Sequence, residues 1–323
     1  MISKNLMNVY WFQDSKIGHL KQVQALLDQL KKEMKFSLFI INLSHQKDLS
    51  QLLHDQHQFN DSTMLIGAGH DVYSRILDAK KYLEKLIKKN IFSIAVLRPS
   101  YKLSSFDLVI APEHDFRKRH FPKNVISFQG SLASTSHETA DKSKALIAIG
   151  GPSKHYKFDQ EILMNHIHYI LSMHPKHEFK IFNSRRTPEE LNFKLKGNLD
   201  NYQNAKLVHF DLSASDVFQD SLKESALKFV TPDSANLVFE ALSTQGQTYL
   251  VQIEDPSYRR IFGTKKIRDS MNELVQSMRV GTVSRSNNSS GLEISKIERP
   301  SVHFEPLAEV EKVAFSIMKF INQ

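Results

Sequence analysis

Among its 323 residues the chain has no cysteine. That absence removes disulfides, thiolate nucleophiles, cysteine-ligated zinc and iron–sulfur clusters together. No apolar run approaches the roughly 18 residues that a membrane-spanning helix requires. The N-terminal MISKNLMNVYWFQD carries one lysine ahead of a short strand-like run and has no signal-peptide core, so a cytoplasmic protein is the expectation. Phosphate-loop signatures are missing as well. There is no GxxxxGK[ST] and no GxGxxG, which takes most support from NTPase and dinucleotide-dehydrogenase readings. Helix-turn-helix, RNP and zinc signatures are absent too, and the aromatics sit inside strand and helix patterns, so no nucleic-acid partner is expected.

What is present is an ordinary globular composition, 41% hydrophobic and 24% charged, over a length that suits two domains of about 150 residues. The formal net charge is +8. Basic residues recur in pairs such as Lys31–Lys32, Lys80–Lys81 and Lys265–Lys266, mostly on the polar faces of expected helices, where solvation explains them. The cluster FRKRHFPK at 116–123 is denser and is a candidate for contact with phosphates or an anionic membrane surface.

Short apolar runs alternate with amphipathic stretches from end to end. The candidate strands are 8–12, 36–42, 63–67, 92–97, 106–112 and 125–128, then 145–150, 179–183, 206–210, 227–231 and 248–253. They are too short for helices and lack polar alternation, as strands buried on both faces of a parallel sheet do. Stretches 20–34, 73–89, 158–173 and 234–245 space their apolar residues three and four apart and read as helices. This repetition implies α/β architecture with right-handed βαβ crossovers. Residues 131–144, small and polar, read as a linker between two Rossmann-like halves. Residues 283–301 read as a second irregular stretch before a last helix at 306–321.

In parallel α/β sheets ligands gather at the carboxyl ends of strands. After the first strand QDSKIGH sets Asp14, Lys16, Gly18 and His19 before a helix; a plain glycine turn is the alternative. GGPSKHYKFD at 150–159 puts Gly150, Gly151 and Ser153 where a backbone cradle for phosphate forms, or simply a tight turn. NSRRTPEE at 183–190 has Thr187 as a helix cap with Pro188 at the first helical position. Arg185 and Arg186 are not needed for capping and suit paired oxygens of a diphosphate or carboxylate. In TPDSANLVFEAL at 231–242, Asp233 or Ser234 can cap a helix, and Glu240 lies two turns along, either solvated or functional. GAGHD (67–71), LRPS (97–100) and PEHDFRKRH (112–120) end the earlier strands, with His114 and Asp115 a possible carboxylate-oriented base. His166 and His168, two apart on a helix, point away from one another and do not make a metal site.

Taken together, DSKIGHLKQ, FDLVIAPEHD, ALIAIGGPS, SRRTP and TPDSANLVFEA resemble the mitochondrial fission (elongated-mitochondria-like) family, which is abundant in bacteria. The resemblance runs in order over 8–320. That family is similar to GT-B glycosyltransferases, which implies two Rossmann-like domains facing across a cleft. Residues 1–135 would form the acceptor-side domain and 143–305 the nucleotide-sugar domain, with a C-terminal helix in 306–323 crossing back to the N-domain. Bacterial members have been labelled nucleoside-diphosphate-sugar epimerases; the missing GxGxxG fits that label poorly.

Carried over residue by residue, the resemblance implies phosphate contacts at Gly150, Gly151 and Ser153, with Ser184, Arg185, Arg186 and Thr187 beside them. It implies a helix capped by Asp233, Ser234 and Asn236 aimed at the diphosphate, and Glu240 in the place of a ribose-binding carboxylate. A catalytic base would come from Asp14, His19, His114 or Asp115. No metal and no cofactor are expected beyond a nucleotide-diphosphate sugar as donor substrate; helix dipole and arginine would stabilise the leaving diphosphate. The expected function is a metal-independent glycosyltransferase acting on a glycan or lipid-linked acceptor of the cell envelope, peripheral at the inner membrane face. The alternative is a non-catalytic scaffold that recruits a partner at a membrane surface.

Overall fold

In a computed structural model, residues 7–43, 62–86, 90–100, 102–116, 120–210, 215–254, 265–287, 293–301 and 305–322 are described. The basic core of the 116–123 cluster, Arg117–Arg119, lies outside them. The chain divides into two compact units, one of Met1–Ser134 with Ala308–Gln323 and one of Thr135–Leu307.

Unit 1 opens with β1 (Met7–Gln13), α1 (Ile17–Glu33), β2 (Phe36–Asn42), β3 (Ser62–Gly67), α2 (His70–Leu86), β4 (Asn90–Val96), β5 (Leu108–Pro112) and β6 (Val125–Phe128). The six strands form one sheet in the order β2-β1-β3-β4-β5-β6, every pairing parallel. Alternate residues of each strand enter different cores. Val9, Trp11, Met64, Ile66, Ile94 and Ile110 pack on one face with α1, while Tyr10, Phe12, Leu65, Ala95 and Val109 pack on the other with α2. Two-sided burial is why the strands read as unbroken apolar runs. On α1 the stripe Val23, Leu26, Leu27 and Leu30 is fully buried, and Lys31 and Lys32 end the helix where cations complement its dipole.

Unit 2 contains β7 (Asp141–Ala148), α3 (Gln160–Met173), β8 (Glu178–Phe182), α4 (Glu189–Leu199), β9 (Ala205–Val208), α5 (Ser215–Glu224), β10 (Ser225–Val230), α6 (Ala235–Leu242), β11 (Gln247–Val251), α7 (Lys265–Gln276), β12 (Gly281–Asn287) and β13 (Glu293–Glu298). Its seven-stranded sheet has the order β13-β12-β11-β10-β7-β8-β9, parallel except for the antiparallel β12–β13 pair. Again the faces alternate: Ile147, Ile181, Phe229 and Tyr249 belong to one core, Leu146, Phe182, Val230 and Leu250 to the other. Asp159 caps α3, its Oδ1 accepting the N–H groups of Glu161 and Ile162 at 3.0 and 3.1 Å.

The final helix, α8 (Glu309–Ile321), belongs to unit 1. Val310, Val313, Ala314 and Ile317 are buried in the core of α1, and Phe320 meets Phe92 edge-on at 6.0 Å. Glu309 Oε2 accepts the Gln129 N–H at 2.8 Å, tying the start of α8 to the end of β6.

Two expectations need correction. Among the described residues, 283–287 and 293–298 are not irregular: β12 and β13 pair there, from Thr282↔Glu298 to Asn287↔Glu293, with mostly polar residues on the exposed side of a sheet edge. Pro188 is the N-cap of α4, not its first helical residue, and Thr187 does not cap. A third feature escaped sequence reading. Lys228, inside β10, is fully buried, and its ammonium donates to Ala241 O, Thr244 O and Gln245 O at 2.9, 3.0 and 2.5 Å and to Thr244 Oγ1 at 2.5 Å. It covers the carbonyls at the α6 C-terminus, which have no partner within the helix. Burial pushes its pKa down to about 7.

Candidate functional site

Each sheet reverses its strand order at one place, and the crevice outside the carboxyl ends there is where such sheets bind ligands. In unit 2 the reversal falls between β7 and β10, so Gly150–Gly151 and Thr231–Asp233 meet. The Asp233 side chain is wholly buried, and its Oδ2 accepts the Gly151 N–H at 3.0 Å and Arg186 Nη2 at 2.6 Å. Arg186 Nη1 also donates to the carbonyls of Gly151 and Pro152, each at 3.1 Å. The Gly150 N–H goes to Thr231 Oγ1 at 2.8 Å, and its carbonyl takes the hydroxyls of Ser184 and Thr187 at 2.8 and 2.6 Å. Three strand-end loops are thereby tied to one carboxylate.

Both glycine N–H groups are therefore donated within the protein. The glycines serve close packing, because a Cβ on Gly151 would lie 2.1 Å from the Arg186 carbonyl oxygen. Thr187 holds this junction instead of capping α4. Ser153 Oγ accepts the N–H groups of His155 and Tyr156 at 3.1 and 3.3 Å, shaping its own turn. Asp233, expected as a cap of α6, faces Arg186, and Ser234 occupies the N-cap position without a capping bond. The first turn of α6 thus has no acceptor from Ser234. Asn236 lies in that turn, and Glu240 accepts Gln219 Nε2 at 3.0 Å on the flank of α6.

Cations surround this junction. Burial first, then the charges of Lys154, Arg268 and Arg186, hold the His155 pKa below its ordinary value, with Asp233 opposing them. Arg268, from α7, forks onto the buried Glu254 at 2.5 and 3.0 Å, and its guanidinium lies 4.3 Å from the centre of the Tyr156 ring. Arg185 and Lys154 are exposed, and Arg186 keeps 43% of its side chain open to solvent. Arg268 was missed in the sequence; reading beyond β11 into the following helix would have found it.

In unit 1 the reversal falls between β1 and β3. There Asp14 Oδ2 and His19 Nδ1 are 2.7 Å apart, and Asp14 Oδ1 accepts the Lys16 N–H at 3.0 Å. Gly69, at φ +121°, packs against the pair, since a Cβ there would stand 2.4 Å from Asp14 Oδ2. Tyr73 donates to the carbonyls of Val96 and Leu97 at 2.8 and 3.2 Å. Its pKa is raised to about 12, by burial first and then by the charges of Asp14 and Asp115. His114 and Asp115 lie in a 3₁₀ turn, Glu113–Asp115, where Arg98 donates to the Asp115 carbonyl and covers the Phe116 ring at 4.8 Å. His70 Nδ1 and Ser100 Oγ, after β3 and β4, are 2.9 Å apart.

The imidazoles of His166 and His168 take different partners, Ser295 Oγ at 2.9 Å and Tyr202 OH at 3.0 Å.

Two Rossmann-like α/β units, each with a charged pair at its switch point, give the chain a GT-B-like fold. Residues 17–321 match the family described as Mitochondrial fission ELM1, and the chain belongs to that family. No curated protein matches it by sequence. Solved structures of like fold include the UDP-GlcNAc 2-epimerase of Neisseria meningitidis bound to UDP-GlcNAc, 11% identical, covering 98% of this chain and 100% of that one with a TM-score of 0.52. Another UDP-N-acetylglucosamine 2-epimerase is also 11% identical, with 99% and 96% covered and a TM-score of 0.52. At that identity the likeness concerns the fold.

Proposed function

We propose that the chain is a metal-independent transferase that binds a nucleotide-diphosphate sugar at the carboxyl edge of the unit 2 sheet. The carrying observation is the gathering of Lys154, Arg186 and Arg268 around His155, in the loops that meet at Asp233 just ahead of α6, whose start Ser234 does not cap. Cations and a helix N-terminus together favour a diphosphate and the charge it gains on leaving. The exposed Arg185 adds a second guanidinium fork, and Asp233 acts as the anchor that holds Arg186 and the glycine loop in place.

The acceptor base is assigned to unit 1. With Asp14 on Nδ1, His19 has Nε2 available to take a proton from an acceptor hydroxyl. That oxygen bonds to the anomeric carbon, the carbon–oxygen bond to the diphosphate breaks, and the diphosphate leaves with its electron pair. A glycan or lipid-linked acceptor at the inner face of the membrane fits the basic surface. A second reading, 2-epimerisation of a UDP-sugar without an acceptor, draws on the fold likeness to the epimerases.

Thermal shift against UDP, GDP, CMP, ADP and their sugars, with and without EDTA, tests the site. A ligand at 100 times its dissociation constant adds about 2.7 kcal/mol. A selective shift that survives EDTA and weakens tenfold or more in the Lys154→Ala, Arg185→Ala double variant supports the proposal, at roughly 1.5–3 kcal/mol per charged contact. Product analysis with and without acceptors then separates transfer from epimerisation. No shift with any nucleotide, in a protein that melts cooperatively, favours the membrane scaffold instead.

A further inference from the structure

A pocket of about 430 Å³ opens at the amino end of the unit 2 sheet, opposite the switch point. Its wall brings together the starts of β10 and β11, the C-terminal end of α6 and Thr139, Ala140 and Lys142. This volume lies within the range of small-molecule sites, roughly 300–1,000 Å³. Nothing in the proposed chemistry uses it.

Its polar groups favour an anion. Lys142 and Arg279 line it, against one carboxylate, Glu305. Arg279 is held in place, its Nη2 donating to the Glu305 carbonyl. Behind the wall, the buried Lys228 Nζ is bonded to Thr244 and Gln245, both of which line the pocket, and so fixes that part of the wall. Among the lining groups, Thr248 Oγ1, in a residue only 2% exposed, and His177 Nδ1 are buried without a hydrogen-bond partner. A buried hydroxyl left unpaired is costly and is uncommon in folded proteins. Leu227, Leu242 and Pro300 complete the wall with apolar surface.

We propose that this pocket binds a small organic phosphate, its phosphoryl oxygens facing Lys142 and Arg279 and its body lying over Leu242 and Thr248. Because Thr139 and Ala140 line it, an occupant also contacts the segment that enters unit 2 from unit 1. The site is separate from the diphosphate site and does not depend on it.

Isothermal titration of the full chain tests this with glucose 6-phosphate, glycerol 3-phosphate and phosphoenolpyruvate, with inorganic phosphate and glucose as comparison arms. At least one organic phosphate should bind, more tightly than inorganic phosphate or glucose. Affinity should fall fivefold or more in Lys142→Gln and in Thr248→Val, and stay unchanged in Lys154→Ala. Thr248→Val should melt at or above the parent temperature, since it removes an unpaired hydroxyl, so weakened binding there is not unfolding. Absence of binding by all three at 10 mM overturns the proposal. So does equal binding of inorganic phosphate, or affinity unchanged by both pocket variants.

Discussion

Gly150 and Asp233 are packed so closely that a Cβ on residue 150 would lie 2.1 Å from Oδ2 and 2.5 Å from Oδ1 of the buried carboxylate. The carboxylate cannot swing aside, because Arg186 and the Gly151 N–H hold it. Gly150→Ala therefore forces overpacking at the junction of three loops. The expected loss is about 2 kcal/mol or more, read from urea unfolding. A variant as stable as the parent would show that the junction yields easily.

The Asp233–Arg186 pair calls for a double-mutant cycle. Asp233 is wholly buried while Arg186 is 43% exposed, so solvent screens one end of the pair. Asp233→Asn alone should destabilise by about 1–3 kcal/mol, because a buried acceptor of two charge-assisted or backbone bonds changes character. The coupling with Arg186→Met should be smaller, about 1 kcal/mol. A coupling near zero would mean that the Gly151 N–H, not the guanidinium, is what Asp233 holds.

Both sheets were legible in the sequence because their central strands are buried on two faces. Runs such as MLIG and ALIAI admit few other readings. β12 and β13 were not legible: they end the sheet, and SRSN and SKIE carry the polar alternation of a partly solvated edge. The loops of the site were legible as strand ends bearing glycine and arginine. Their bonding was not, since Arg186 and Asp233 are 47 residues apart and Arg268 reaches Glu254 from the next helix. Local capping rules assigned Thr187 and Asp233 to helices, and tertiary contacts claimed both side chains.

His166 gives the acid limb of stability. It is fully buried, bonded through Nδ1 to Ser295, and burial followed by the charge of Arg285 pushes its pKa down to about 4. Unfolded, it titrates near 6.5, so the unfolded chain takes the proton first. The stability is intact above pH 6.5 and falls toward pH 4 by about 1.4 kcal/mol per unit for this one proton. His155 and His174, also lowered chiefly by burial, act in the same direction. Burial works to raise the Asp107 carboxyl, but Lys80 and Ser93 outweigh it and hold the group low, so its stability is full above the ordinary carboxylate range and is lost only as pH falls through and below that range. His166→Leu should flatten the slope between pH 6.5 and 4 in denaturation series. An unchanged slope would mean that the folded protein accommodates the imidazolium.

Gly69 tests how the unit 1 acid–base pair is built. Two separate costs attend Gly69→Ala: an L-residue at φ +121°, and a Cβ 2.4 Å from Asp14 Oδ2 and 3.2 Å from His19 Nδ1. Backbone strain accounts for about 1–3 kcal/mol, and the contact adds to it. The two are separable, because Asp14→Ala removes the nearer atom and leaves the backbone alone. In the Asp14→Ala background, Gly69→Ala should cost less than in the parent by about 1 kcal/mol or more. Equal costs in both backgrounds would assign the glycine to the turn alone, and the close approach to Asp14 would then play no part in holding His19.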